Sequence, residues 1–212
     1  MSLAYNTGKD IKEAIDSNLL LLWGGALKNY DRDEYIFHEG QQPQFYHQII
    51  EGRIKMLNEV EDGKDFIQGF FMSGQSFGEP PIFSEGKYPA SAVTVVPSVI
   101  LRLSISSFKQ LLKENFDVHW DLTKLLAQRI MGKARTLKGI TCLNPEQRII
   151  NVLDKLKTES INPETLEKQA RIDYTRKQIA DMTGLRVETV IRVMRNLYEK
   201  KMLTIRKGKV YY

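Results

Sequence analysis

Glycines recur at positions 40, 52, 63, 74 and 86, every 11 or 12 residues, and no other feature of the chain restricts its fold so tightly. Such a period holds one strand and its turn, but not an average helix with its connections. The runs between are rich in β-branched and aromatic residues: FYHQII (45–50), RIKML (53–57), FIQGFF (66–71), SAVTVV (91–96) and VILRLS (99–104). Short strands separated by glycine-bearing turns predict an antiparallel sandwich or barrel over about residues 30–110. EDGKD (61–65) suits a hairpin turn, because Asp-Gly accepts positive φ. GEPPIF (78–83) breaks the pattern: Pro80 and Pro81 remove two N–H donors, which rules out a central strand.

From about 105 to 140 the periodicity becomes helical. Leu122, Leu126, Ile130, Ala134 and Leu137 form an apolar row that Leu125 widens, while Lys124, Arg129, Lys133, Arg135 and Lys138 cover other faces. Such a row serves either as a seam between two copies or as a face packed on the β domain. Gly132 weakens the helix by about 1 kcal/mol relative to Ala and permits close backbone approach. Further on, NPEQRIINVLDKLK (144–157) opens with Asn144 as cap, Pro145 in the first turn and Gln147 at the third position. Thr175 and Gln178 stand at capping-box spacing. MTGLR (182–186) reads as a tight turn, VETVIRVMRNLYEKK (187–201) as a helix, and LTIRKGKVYY (203–212) as strand, Lys-Gly turn, strand.

Of the 212 residues 42% are hydrophobic and 27% charged, which predicts a packed soluble protein. No apolar run approaches the roughly 20 residues of a membrane span. NLLLLWGGAL (18–27) is short and follows acidic residues, so it is not read as a signal peptide, and a cytoplasmic protein is expected. The single cysteine, Cys142, excludes an intrachain disulfide and a cysteine-ligated iron–sulfur cluster. Residues 142–212 hold 15 Lys/Arg against 9 Asp/Glu, whereas residues 1–141 hold 16 against 17. Positive charge gathered at one end fits an anionic polymer as partner, or simply a solubilising surface. The sequence holds no Ser/His/Asp constellation, no metal-ligand spacing and no phosphate-binding glycine loop, and His38, His47 and His119 are scattered. Neither an enzyme nor a haem or other cofactor site is expected.

Two short helices joined by a glycine turn and followed by a basic hairpin read as a winged helix-turn-helix. In the second helix Val187, Val190, Met194 and Leu197 share the inward face, while Glu188, Thr189, Arg192, Arg195 and Asn196 lie away from it. Glu188 and Arg192 project together, one turn apart. Arginine's planar fork matches guanine O6 and N7, and glutamate accepts from cytosine N4. Taken alone, the two read rather as an exposed ion pair worth a few tenths of a kcal/mol.

The stretch TRKQIADMTGLRVETVIRVMRNLYEKKML resembles the DNA-binding domain of the Crp/Fnr family of bacterial transcription regulators. Thr175, Arg176, Ile179, Ala180, Gly184, Glu188, Thr189, Val190 and Arg192 match that family's pattern TR-x-x-IA-x-x-x-G-x-x-x-ETV-x-R. The resemblance extends over nearly the whole chain, through the glycine-punctuated β region, FGE (77–79), the long central helix and NPEQRIINVL (144–153). It implies an α+β protein: an N-terminal antiparallel β-roll of cyclic-nucleotide-binding type (1–114) as effector or sensor domain, a dimerisation helix (115–141) and a C-terminal winged helix-turn-helix (142–212). It implies a homodimer through 115–141 on double-stranded DNA, with two-fold symmetric half-sites about one helical turn apart. Glu188 and Arg192 would read bases. Thr189, Thr175, Arg176 and Gln178 would sit near phosphates, flanked by the RKGK wing (206–209). Arg186 departs from the small polar residue usual there and either adds a phosphate or base contact or sits on the rim. Ile191 stands where some relatives place Ser or Gly, and an apolar side chain there suits a thymine methyl. RNA polymerase and an unknown small-molecule effector are further expected partners.

Family members that bind cyclic AMP hold its ribose with a Gly-Glu pair and its phosphate with a later Arg-Ser pair. Here Gly78 and Glu79 are present, but Pro89 stands at the arginine position, followed by Ala90 and Ser91. A buried phosphate without a charged partner loses several kcal/mol. Lys133 and Ala134 stand roughly where relatives place hydroxyls that bind the base. Binding of cyclic AMP in the usual way is therefore not expected. Gly78, Glu79, Ala90 and Ser91 mark the effector position, with Glu79 a structural carboxylate. Phe66, Phe70, Phe71 and Phe77 line an apolar effector cavity or form plain core. The competing reading is a cyclic-nucleotide-binding signalling module with no DNA role, against which the basic C-terminal third argues.

Overall fold

The computed structural model describes residues 13–60, 64–160, 170–206 and 209–212. The chain divides into two compact units, one of Met1–Glu59 with Gln68–Gln128 and one of Val60–Ile67 with Arg129–Tyr212.

The first unit begins with helix α1 (Ser17–Leu22), whose N-cap Asp16 accepts a hydrogen bond from the Leu19 N–H. Strands β1 (Ala26–Tyr30), β2 (Tyr35–Phe37), β3 (Phe45–Glu51), β4 (Arg53–Val60), β5 (Lys64–Met72), β6 (Ser76–Phe77), β7 (Ser91–Thr94) and β8 (Ser98–Ser104) follow, with helix α2 (Pro80–Ser84) between β6 and β7. They form two four-stranded sheets, in the orders β1-β8-β3-β6 and β2-β7-β4-β5. The pairings of β1 and β3 with β8, of β3 with β6, and of β2 and β4 with β7 are antiparallel. The five runs singled out by composition fall on β3, β4, β5, β7 and β8. The Pro80-Pro81 pair starts a short helix, where a missing N–H costs nothing. Gly52 turns β3 into β4 at φ 105°, and a Cβ there would collide with Ser98. The expected Asp-Gly turn of 61–65 lies mostly outside the described residues, as does the Lys207-Gly208 turn of the wing.

A buried amide ties the start of the unit to the sheet. Gln48 accepts from the Ile15 N–H (3.1 Å) and the Tyr46 hydroxyl (2.8 Å) and donates to the Ile15 carbonyl (2.7 Å). Helix α3 (Ile105–Glu114) starts at Ser104, whose Oγ accepts from the Ser107 N–H, and is followed by the long helix α4 (Phe116–Cys142). One core cluster holds Leu20, Tyr46, Leu101, Leu103, Phe108, Leu111 and Leu122, with Val118, Leu125 and Leu126 packed against it. Leu122 is buried in the β-roll core and Leu126 packs against it, while Ile130 of the same row is exposed. A row advancing by four residues drifts about 40° per step around a helix, so its later members leave the face its first ones share. Phe116 (72% exposed) and Trp120 (51%) stand on a different face of α4, their rings stacked with centroids 6.2 Å apart. Among the described residues no helix is long and apolar enough to cross a membrane.

The second unit carries α5 (Pro145–Ser160), β9 (Arg171–Ile172), α6 (Arg176–Thr183), α7 (Val187–Glu199), β10 (Thr204–Arg206) and β11 (Lys209–Tyr211). Asn144 caps α5 as expected, its Oδ1 accepting from the Gln147 N–H at 2.9 Å. Ile149, Leu153, Leu156, Ile179, Ala180, Val190, Met194, Leu197, Leu203 and Val210 are buried. The sheet has three strands in the order β10-β11-β9 rather than a hairpin alone, since β9 pairs with β11.

Candidate nucleic-acid interface and the interior of the β-roll

Helix α6 opens with a complete capping box: the Gln178 N–H donates to Thr175 Oγ1 (3.1 Å), and the Thr175 N–H donates to Gln178 Oε1 (2.9 Å). The box uses only acceptor atoms of the two side chains. The Thr175 hydroxyl hydrogen and the Gln178 NH2 remain donors, the form a phosphate oxygen requires. Arg176 is half-buried beside them. Gly184 ends α6 at φ 66°, and Arg186 stands at the N-cap of α7 without a side-chain cap hydrogen bond.

Helix α7 is sharply two-sided. Val190, Val193, Met194 and Leu197 are buried, whereas Glu188, Ile191, Arg192, Arg195 and Asn196 are exposed and Thr189 is half-buried. Val193 joins Val190, Met194 and Leu197 on the inward face, and Val187 is half-buried at the first turn. Arg195 pairs with Glu199 at 3.5 Å, but among the described residues no ion pair joins Glu188 to Arg192. The polar ends of both therefore face outward without a partner on the helix. In the wing, Arg206 and Lys209 are exposed, the Arg206 guanidinium lying over the Tyr211 ring. Lys200 holds Glu146 at 2.7 Å and ties the end of α7 to the start of α5.

The second set of expected residues lies inside the β-roll. Gly78 adopts φ 75°, and a Cβ there would stand 3.0 Å from the Phe37 ring and 3.2 Å from the Tyr88 ring. These two rings stack face to face, with centroids 3.6 Å apart and planes within 7°. Glu79, Ala90 and Ser91 are buried, and Pro89 is exposed. Ser91 Oγ accepts from the Glu39 N–H at 3.0 Å. The Pro89 carbonyl accepts from Asn58 Nδ2 at 2.7 Å, and the same nitrogen donates to the Glu39 carboxylate at 3.0 Å. A carboxylate, not a guanidinium, is thus held beside Pro89.

Burial, reinforced by the Glu79 carboxylate, pushes the Tyr88 phenol well above its ordinary range and keeps it neutral. Its hydroxyl has no hydrogen-bond partner among the described residues. Burial, and then the positive Arg102, lower His47 to about 3, so its imidazole is also neutral. His47 sits among the rings of Phe77, Phe37 and Phe45, with centroids at 5.3, 5.5 and 6.3 Å. His38 stacks on Tyr35 instead. Of the four phenylalanines considered for a cavity, Phe77 is core and Phe71 packs on the same cluster. Phe70 lies half-buried near Arg53, and Phe66 is exposed. Phe37 and Tyr88, the rings against Gly78, were not among the candidates. Each lies far from Gly78 in any periodic pattern, and only sheet pairing and the loop after α2 bring them there.

The cyclic nucleotide-binding domain family matches residues 27–115, and the Crp-like helix-turn-helix domain family matches residues 147–211. The chain is 26% identical over 182 residues to the cAMP-activated global transcriptional regulator CRP of Pasteurella multocida, spanning 84% of this chain and 85% of that one. It is likewise 26% identical over 186 residues to the cAMP-activated global transcriptional regulator Vfr of Pseudomonas aeruginosa, spanning 86% of each. Among solved structures, the c-di-GMP responsive global regulator CLP of Xanthomonas campestris superposes with a TM-score of 0.77 at 20% identity, over 92% of this chain and 98% of that one. FixK2 from Bradyrhizobium japonicum superposes with a TM-score of 0.76 at 18% identity, over 88% and 91%. Structural likeness at these identities speaks for the fold alone. Sequence matches to both domains, in this order and along most of the chain, show that it belongs to the Crp/Fnr family of transcription regulators.

Proposed function

We propose that the chain is a sequence-specific, DNA-binding transcription regulator that works as a homodimer on a two-fold symmetric operator. The observation that carries this reading is the two-sidedness of α7: an apolar face buried in its own domain, and Glu188 with Arg192 projecting outward. In a major groove Arg192 donates its paired N–H groups to guanine, and Glu188 accepts from cytosine. Thr175, Arg176, Gln178 and Thr189 hold phosphates, Arg186 adds a contact at the rim of α7, and Arg206 and Lys209 flank them. The dimer seam is the face of α4 that bears Phe116 and Trp120, because Leu122 and Leu126 are used in the β-roll core. Residues 1–114 are the sensor-type domain, 115–141 the dimerisation helix and 142–212 the reader of a cytoplasmic, non-enzymatic protein that acts on RNA polymerase. Cyclic AMP, which activates the CRP and Vfr relatives, is not its effector: Pro89 supplies neither charge nor N–H where a phosphate needs both.

Selection of bound sequences from random DNA, with wild type and Glu188→Ala in parallel, tests this. The expected result is a two-fold symmetric motif for wild type, relaxed at one position per half-site in the variant, with affinity that falls as salt rises. Absence of any selected motif, or an unchanged motif in the variant, overturns the assignment.

A further inference from the structure

The relation of Phe37 and Tyr88 to Gly78 bears on regulation. Resting on the family reading of the Gly-Glu pair as a ribose clamp, we infer that the stacked rings of Phe37 and Tyr88 occupy the nucleotide's place, so that the β-roll is closed on itself and DNA binding requires no cyclic nucleotide. Three observations converge. First, the space over Gly78 is taken: the two rings stand 3.0 and 3.2 Å from where a Cβ would be, and a sugar is far larger than a methyl. Second, the rings lock each other at 3.6 Å and belong to a core cluster with Tyr30, Ile49, Ile54, Met56, Phe77, Ala90, Ala92 and Ile100. Interiors of this kind are close-packed, and moving either ring aside forfeits its contacts on every side. Third, the loop that would meet a phosphate is fastened by protein groups: Asn58 holds the Pro89 carbonyl, and the Ser91 hydroxyl accepts from Glu39. The charge held beside it is the Glu39 carboxylate, which repels an anion.

A ligand shifts an equilibrium only by its differential affinity for the two states. A β-roll that admits no nucleotide in either state gives a nucleotide no leverage, and the conformation set by the aromatic pair is then the working one.

The full chain is unfolded in guanidinium, washed free of small molecules and refolded. Its thermal midpoint and its affinity for the selected operator are then measured with and without cAMP, cGMP and c-di-GMP, each at about a hundredfold excess over a micromolar Kd. The refolded protein is expected to bind the operator within about twofold of the native preparation, with no response to any of the three. A rise in midpoint with any of them, or operator binding about tenfold weaker after refolding and restored by one of them, overturns the inference. Pro89→Arg with Ala90→Ser tests the rings themselves, because it supplies an anion partner and leaves the stack in place. This pair alone is expected to stay silent to cAMP, and to respond once Phe37→Val or, should that variant not melt cooperatively, Tyr88→Gln is added. A response from the pair alone, or silence of both combinations, removes the rings as the barrier. The thermal readings are independent of DNA: failure to select an operator while every nucleotide stays silent sinks the DNA reading and leaves the closed β-roll standing.

Discussion

Replacing His47 by Phe should remove a defined part of the acid sensitivity of the β-roll. His47 is buried among the rings of Phe37, Phe45 and Phe77, and burial together with Arg102 lowers its folded value to about 3 from an ordinary 6.5. The folded chain holds it neutral, while the unfolded chain protonates it as pH falls through the ordinary value. Its contribution to stability is therefore whole above about pH 6.5 and is lost progressively as pH falls toward the folded value. At about pH 5 the unfolded imidazole is roughly 30-fold more protonated than neutral, so the loss relative to about pH 7.5 is about 2 kcal/mol. A phenyl ring keeps the aromatic packing and has no proton to gain. Both tryptophans, Trp23 and Trp120, belong to the first unit, so urea unfolding followed by their fluorescence reports on it. The carboxylates are common to both proteins and cancel in the difference of their pH profiles. Wild type should lose about 2 kcal/mol more than His47→Phe between the two pH values. Profiles parallel to within about 0.5 kcal/mol would show that His47 titrates alike folded and unfolded, and would refute the reasoning.

Other expectations follow from geometry. Thr175→Ala should destabilise the second unit by about 1 kcal/mol through loss of the capping box. Gly184→Ala should cost a similar amount, from positive φ alone, because nothing lies within 4 Å of the added Cβ; urea unfolding followed by circular dichroism checks both. Trp120→Ala removes about 2 kcal/mol of burial per side chain at the proposed seam, so sedimentation should show a monomer–dimer constant weakened at least 30-fold; an unchanged constant would move the seam elsewhere. Ile191 is 53% exposed between Glu188 and Arg192 on the outward side of α7. Replacing the contacted thymine by uracil, which lacks only the methyl, should weaken wild-type binding about fourfold per half-site and leave Ile191→Ser indifferent in a fluorescence-anisotropy titration.

Much of this architecture is legible in the residues because it is local. Glycine spacing and β-rich runs place β3, β4, β5, β7 and β8, cap chemistry places the starts of α5 and α6, and the Gly184 turn places that of α7. The short elements escape for equally physical reasons. Strand β1 buries only Tyr30, so it shows no alternation, and β9 is two residues long, too short for any period. The row from Leu122 onward has two possible partners, and the choice between them depends on the sheet it meets, which is tertiary information. The outward residues of α7 were readable because one helix carries both its buried and its exposed face. The rings against Gly78 were not, because Phe37, Gly78 and Tyr88 come from separate segments.

The order β10-β11-β9 sets Lys209–Tyr211 between two neighbours, with Val210 buried and the Ala170 and Tyr212 backbones exchanging hydrogen bonds at 2.8 and 3.0 Å. The Tyr212 phenol, pushed up to about 12 by burial and by its hydrogen bond to Asp154, fastens the same stretch to α5. Losing residues 209–212 would withdraw a keystone rather than trim a fringe, and would unseat both flanking ribbons at once.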